Sequence, residues 1–210
     1  MEDYKIIHFQ YLLLEWYKKN KRNFPWRYTY NPYYVLVSEL MLQQTSANQV
    51  IDVYNNFVAE YSSMEALSKV DYEQVEKYFY SLGLVYRARV LVEISKTMWD
   101  LYKGIPNDKN SLMSIKGIGD YICNAILCFG YNKAYAIVDT NVIRVFDKIL
   151  DYRSRSATPH KDVNIWEFAQ SILPKSDYVD YNYALLDFGA ALKSNNQLEK
   201  EFVYMLNDQI

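Results

Sequence analysis

From Tyr33 to Leu42 the chain reads Tyr-Tyr-Val-Leu-Val-Ser-Glu-Leu-Met-Leu, an apolar run broken only by Ser38 and Glu39. Its length favours a buried helix over a strand. Elsewhere apolar positions recur three and four residues apart, the spacing of one helix face. Residues 3–19 place Tyr4, Ile7, Tyr11, Leu14 and Lys18 at that spacing and predict an amphipathic helix. Residues 46–61 predict another, with Val50, Val53, Tyr54, Phe57 and Val58 inward. Short helices are expected at 63–69 and 71–80, then a corner at Leu82-Gly83-Leu84 and a longer helix over 86–102. A helix at 109–115 leads into a glycine turn, after which Tyr121, Ile122, Ala125, Ile126 and Phe129 form one apolar stripe. Ala136-Ile137-Val138 brings the chain to Asp139, a natural N-cap for a helix through Leu150. Further helices are predicted at 161–172, 178–192 and 196–206. No segment alternates as a strand, and there is no repeat or long linker. The fold is predicted to be all-α.

Composition narrows the picture. A chain of 210 residues suits one or two small domains with ample length to bury a core. No run approaches membrane-spanning length and no signal peptide opens the chain, so no membrane partner and a cytoplasmic location are expected. The two cysteines, Cys123 and Cys128, fall in one apolar helical segment and read as buried thiols of a reducing compartment. A net charge of −2 and a pI near 5.8 count against a nucleic-acid partner. The distribution tempers that. Lys18, Lys19, Lys21, Arg22 and Arg27 lie between Trp16 and Tyr28 with no acid among them, and Lys116, Arg144 and Lys148 flank the glycine turn and Asp139. A near-neutral chain can still present a basic face.

Three features suggest chemistry. Lys116-Gly117-Ile118-Gly119 opens a helix, so backbone N–H groups and the positive end of a helix dipole would face whatever lies against the turn, an arrangement suited to phosphate. The plainer reading is a helix–helix corner. Glu39 stands in an apolar helix, either as a partly exposed edge residue or held inside with a raised pKa. Asp139 is the third.

With these residues in place, the chain resembles the helix-hairpin-helix DNA glycosylase superfamily over nearly its whole length. Within it, the closest likeness is to the branch of adenine glycosylases of the MutY type and archaeal thymine-mismatch glycosylases. The matching blocks are Phe24-Pro25-Trp26-Arg27, Asn31-Pro32-Tyr33, Ser38 through Thr45, Gly83 through Arg89, Lys116 through Gly119, Val138 through Val145, and Leu186-Asp187-Phe188-Gly189-Ala190. The resemblance implies a helical barrel over residues 24–132 and a second domain built from 1–23 plus 133–210, with a cleft between them. It implies double-stranded DNA with a mismatched or damaged base as partner, bound by a nucleoid-associated monomer. Lys116, Gly117, Ile118 and Gly119 would hold the DNA backbone, with Asn141 and Arg144 also at the DNA. Gln43 and Gln44 match the positions that fill the space left by a flipped nucleotide. Trp26, Arg27 and Asp187 would line the base pocket.

Breaking an N-glycosidic bond builds positive charge on the sugar, and an ionised carboxylate beside it stabilises that charge. Asp139 fits this role, with a pKa expected to be held low by the helix N-terminus. It could also serve merely as a cap. Tyr121 stands where the lyases of the family have a lysine that forms a Schiff base; a tyrosine cannot, so a monofunctional glycosylase is expected. Glu39 would be the general acid in an adenine enzyme and a base-recognition residue in a thymine enzyme. The family usually continues after the block at 186–191 into four cysteines that hold an iron–sulfur cluster. Leu192 through Leu198 has none, so no cluster is predicted, and a terminal helix at 196–206 is expected to pack in its stead. A monovalent cation at the hairpin stays open. The favoured substrate is thymine or uracil opposite guanine. Adenine opposite guanine or 8-oxoguanine, a modified pyrimidine, and a non-catalytic DNA-binding module are the alternatives.

Overall fold

The computed structural model describes residues 3–83 and 85–208; Leu84 of the predicted corner and the two residues at each end of the chain, including Ile210, lie outside the described residues. The described residues form helices and no strand. Among the described residues no helix is long and apolar enough to cross a membrane. The chain groups into two compact units, Met1–Arg22 with Ala134–Ile210, and Asn23–Lys133.

The unit formed by Asn23–Lys133 is arranged around α2 (Pro32–Leu42). Asn31 starts this helix: its side chain accepts the Tyr33 N–H, and Pro32 at the first helical position gives up a donor that had no partner there anyway. Every residue from Val35 to Met41 is buried. Around it come α3 (Ala47–Glu60), α4 (Met64–Ser68), α5 (Tyr72–Phe79), α6 (Tyr86–Tyr102), α7 (Lys109–Met113) and α8 (Asp120–Ala125). α8 widens into a π-helical turn at Ile126–Gly130. That turn lies so close to α2 that a Cβ on Gly130 would sit 2.6 Å from Pro32 Cα. Ile122, Ala125, Ile126 and Phe129 are buried as the predicted stripe requires, while Tyr121 stays half-exposed.

The other unit comprises α1 (Asp3–Asn20), α9 (Thr140–Leu150), α10 (Val163–Ser171), α11 (Tyr178–Ala191) and α12 (Asn196–Asn207). α1 forms where predicted but presents the other face. Phe9, Leu13 and Tyr17 are buried, whereas Tyr4, Ile7 and Tyr11 are 52%, 63% and 59% exposed. Both faces carry apolar residues at helical spacing, so periodicity alone could not choose; the tyrosine hydroxyls favour water. α12 packs on α1 and α9. Its Phe202 lies 4.5 Å from the Phe188 ring and 6.0 Å from that of Phe9, and Glu199 pairs with Lys148 of α9.

Candidate active site

Asp139 is placed by the chain that leads to it and by the helix that follows. The segment before it is buried through Ala136, Ile137 and Val138. Gln170 of α10 and Asn182 of α11 clamp this segment through their amides. Gln170 Oε1 accepts the Ala136 N–H at 3.0 Å, and its Nε2 donates to the Ala134 carbonyl. Asn182 Oδ1 accepts the Ile137 N–H, and its Nδ2 donates to the Tyr135 carbonyl. At the start of α9, Asp139 Oδ1 accepts the N–H groups of Asn141 and Val142 at 2.8 and 2.9 Å. Its Oδ2 accepts the Asn141 side-chain amide at 2.7 Å.

Asn141 is in turn held. Arg144 Nη1 donates to Asn141 Oδ1 at 3.0 Å and to the Gly189 carbonyl of α11 at 2.7 Å. α11 can approach this closely only because residue 189 is glycine: a Cβ there would meet the Asn141 carbonyl oxygen at 2.2 Å. A continuous line of hydrogen bonds therefore runs from the α11 backbone through Arg144 and Asn141 to the Asp139 carboxylate. Asn141 and Arg144, predicted at the DNA, spend these side-chain groups on positioning Asp139. Gln170 and Gly189 are parts that sequence reasoning missed. The one available signal was a glycine inside a helical pattern, which points to a close backbone approach.

The expectation of a low Asp139 pKa is overturned. Burial pushes the carboxyl above the ordinary aspartate value, outweighing the lowering by the Val142 N–H, the Asn141 amide, the Asn141 N–H and Arg144. The helix dipole works near the end of a helix in water; here the surrounding protein removes part of the solvation that the anion would need.

Apart from Asp187, the remaining predicted residues lie in the Asn23–Lys133 unit. Glu39 is 5% exposed in the middle of α2, so the reading as an edge residue gives way to a carboxylate held inside. α2 ends at Leu42, and Gln43 and the exposed Gln44 form the corner before α3, with Gln44 at a φ of 55°, left-handed although not glycine. In the hairpin Ile115 and Ile118 are buried anchors, while Lys116, Gly117 and Gly119 face outward. Gly117 has a φ of 99°, a backbone that L side chains rarely adopt. Ile118 donates its N–H to the Ile115 carbonyl, so it secures the turn rather than offering a free donor. Asp120 beside the turn lies 3.7 Å from Lys109. Trp26 is a core residue, stacked on Phe24 with ring centroids 4.9 Å apart, and the Arg27 guanidinium covers the same Phe24 ring.

Asp187, predicted to line the base pocket, is buried and paired with Arg22. Its Oδ2 accepts the Arg22 backbone N–H at 2.9 Å and its Oδ1 the Arg22 Nε at 2.6 Å. The pair secures the residue at which the chain leaves this unit for the other. The lysine-rich stretch is also partly neutralised, since Lys18 pairs with Glu15 and Arg22 with Asp187.

An iron–sulfur cluster does not fit the donors present. Such clusters are held by four thiolates. Cys123 and Cys128 are both fully buried in the α8 and π-turn segment, and burial pushes the Cys123 thiol up to about 11. Among the described residues no group of three or more His, Cys, Asp or Glu side chains could hold a metal ion.

An all-α chain with a half-buried, cap-held aspartate at one helix start and a glycine hairpin at another has the parts of a base-excision enzyme. Residues 37–168 match the HhH-GPD superfamily of base excision DNA repair proteins, and the chain belongs to that family. It is 31% identical to a thymine/uracil-DNA glycosylase of Pyrobaculum aerophilum, over 86% of this chain and 80% of that protein. It is 33% identical to a thymine-DNA glycosylase of Aeropyrum pernix, over 83% of this chain and 81% of that one. Among solved structures, a thermostable thymine-DNA glycosylase superposes with a TM-score of 0.88, covering 97% of this chain and 94% of its own at 28% identity.

Proposed function

We propose that this protein is a DNA glycosylase that removes thymine or uracil mispaired with guanine and leaves the DNA strand intact. The observation that carries the reading is the Asp139 carboxylate, held by three hydrogen bonds at the start of α9. Phosphate binding alone needs no such group. The likeness to thymine and thymine/uracil glycosylases over most of both chains supports the choice of base.

The duplex hides the bond to be broken, so the nucleotide is first extruded, with Gln43 or Gln44 entering the stack behind it. The bond between C1′ and the pyrimidine N1 then breaks, and its electron pair leaves with the base. Asp139 faces the cation that develops on the sugar and stabilises it as an anion. Water adds to C1′ and its proton passes to Asp139 or to solvent, while the departing base anion takes a proton from solvent, giving the free base and an abasic site. Glu39 and Tyr121 contact the extruded base. Lys116 and the N–H groups of the hairpin hold phosphate. Because residue 121 is tyrosine, no imine forms with the abasic sugar, and the strand remains unbroken.

Single-turnover excision tests this on duplexes with G·T, G·U, A·G and A·8-oxoguanine pairs, each assayed with and without alkali. Thymine or uracil release with strand breaks only after alkali is the expected result. Adenine release would hand Glu39 the role of general acid, and breaks without alkali would refute the monofunctional assignment. No release from any duplex would overturn the choice of substrate.

A further inference from the structure

A cation with no paired anion among the described residues lies buried beside the α2–α3 corner. Arg87, on the first turn of α6, is 1% exposed. Its Nη1 reaches the Leu40 carbonyl of α2 across 3.4 Å, near the limit of a hydrogen bond. Its Nε and Nη2 are buried and have no hydrogen-bond partner among the described residues. A buried charge without a counter-charge and two orphaned donors are each costly, and natural proteins rarely tolerate them without a reason.

The corner that Arg87 supports is loosely held by comparison. Thr45 Oγ1 donates to the carbonyls of Gln43 and Leu82 over 3.3 and 3.4 Å, and the Thr45 N–H donates to the Leu42 carbonyl over 3.3 Å. Gln44 is in the left-handed region. Long hydrogen bonds, a strained non-glycine residue and a neighbouring guanidinium with donors to spare all occur within one corner. The carbonyls at the end of α2 are the natural acceptors for those donors, since the last turn of a helix leaves them without partners.

We propose that Arg87 is the positioning residue of the wedge: when the Gln43–Thr45 corner enters the duplex, its backbone carbonyls take up the unspent Arg87 donors, so the DNA-engaged corner is the fully hydrogen-bonded one. The proposal rests on the reading of Gln43 and Gln44 as the residues that fill the vacated stack. Arg87 does not touch the reacting atoms; it acts through the corner.

Arg87→Met and Arg87→Lys test it in the full chain, on a G·T duplex with 2-aminopurine next to the thymine. The fluorescence of that base rises when its neighbour leaves the stack. Arg87→Met is expected to melt at or above the parent temperature, because an apolar side chain replaces an unpaired buried cation. It should bind DNA within about three-fold of the parent, since phosphate contacts are untouched. The fluorescence rise and the single-turnover rate should both fall at least ten-fold, with partial recovery in Arg87→Lys. A folded Arg87→Met protein within two-fold of the parent in both would overturn the proposal. So would a variant that melts several degrees lower and loses only what its unfolded fraction explains, because Arg87 would then be a packing residue. If the parent excises neither thymine nor uracil, the proposed function falls and this inference with it; if the parent excises and the variant equals it, only the inference falls.

Discussion

The start of α9 and the α2–α3 corner are both helix ends, and they are built in opposite ways. At α9 every acceptor of Asp139 is met by short hydrogen bonds, and the group that meets Oδ2 is itself fixed by Arg144 and the α11 backbone. At the corner the bonds are long, one residue is left-handed, and a buried guanidinium has two donors unused. The contrast teaches a division of labour. A carboxylate that must stabilise a transient cation gains from being fixed beforehand, since reorganisation then costs nothing at the moment of reaction. A segment that must enter a duplex gains from having interactions still to make.

The most severe way to break the comparison is at the carboxylate. Asp139→Asn keeps the size and the capping ability of the side chain, since asparagine caps as well as aspartate. Excision under single-turnover conditions should fall by about 10²–10⁴-fold, while the affinity for mismatched DNA stays within a few-fold. An undiminished rate would leave Asp139 a cap and nothing more.

Arg144→Met removes one end of the line of hydrogen bonds without touching the acid. We expect excision at neutral pH to drop by roughly ten- to a hundred-fold, the usual cost of a misplaced catalytic group. The pH profile sharpens the test. Burial already raises the Asp139 pKa, so the rate should climb with pH along an acid limb that lies above the ordinary aspartate value. Loss of the nearby Arg144 charge should move that limb higher still. A limb that stays in place would show that Arg144 does not act on Asp139. Stability carries the same signature with a definite sign. The folded-state pKa of Asp139 lies above its unfolded value, so the native protein holds more protons between the two, and stability falls as pH rises through that window. The Asp139→Asn protein should lack this slope in a series of melts across acidic pH.

Gly189→Ala probes the packing that makes the line possible. A methyl group 2.2 Å from the Asn141 carbonyl forces α11 and α9 apart, at a cost of roughly 1–3 kcal/mol and a fall in Tm of about 3–10 °C for a chain of this size. Gly104→Ala is the control. Nothing lies within 4 Å of a Cβ at Gly104, and its effect should stay within about 0.5 kcal/mol. The smallest effect belongs to the hairpin. Lys116→Ala should weaken binding to all duplexes alike and reduce the slope of log affinity against log salt by about one; an unchanged slope would remove Lys116 from the phosphate contacts.

Much of the fold was legible before the structure. Pro and Asn at 31–32, the Gly117 turn and the Asp139 cap are local signals, and helices begin or turn there because those residues solve a local hydrogen-bonding or steric problem. The long apolar run of α2 likewise announced a buried helix, and the order of the motif blocks announced the family. What failed is equally specific. The face of α1 was misassigned because two apolar stripes were on offer and only the presence of Tyr181 and Phe202 selects Phe9. For Asp187 the motif gives the acid's position in the chain and not its partners, which include the Arg22 backbone and guanidinium.

The sequence by itself determined that this chain is all-α, where its helices start, and which carboxylates and turns are available for chemistry; these follow from periodicity and capping, which act within a few residues. The tertiary structure alone decided the direction of the Asp139 pKa shift, the use of Arg144 and Gly189 to hold that carboxylate, and the burial of Arg87. Each depends on how much water is excluded and on which groups arrive from helices distant in sequence. Desolvation and close approach have no local code.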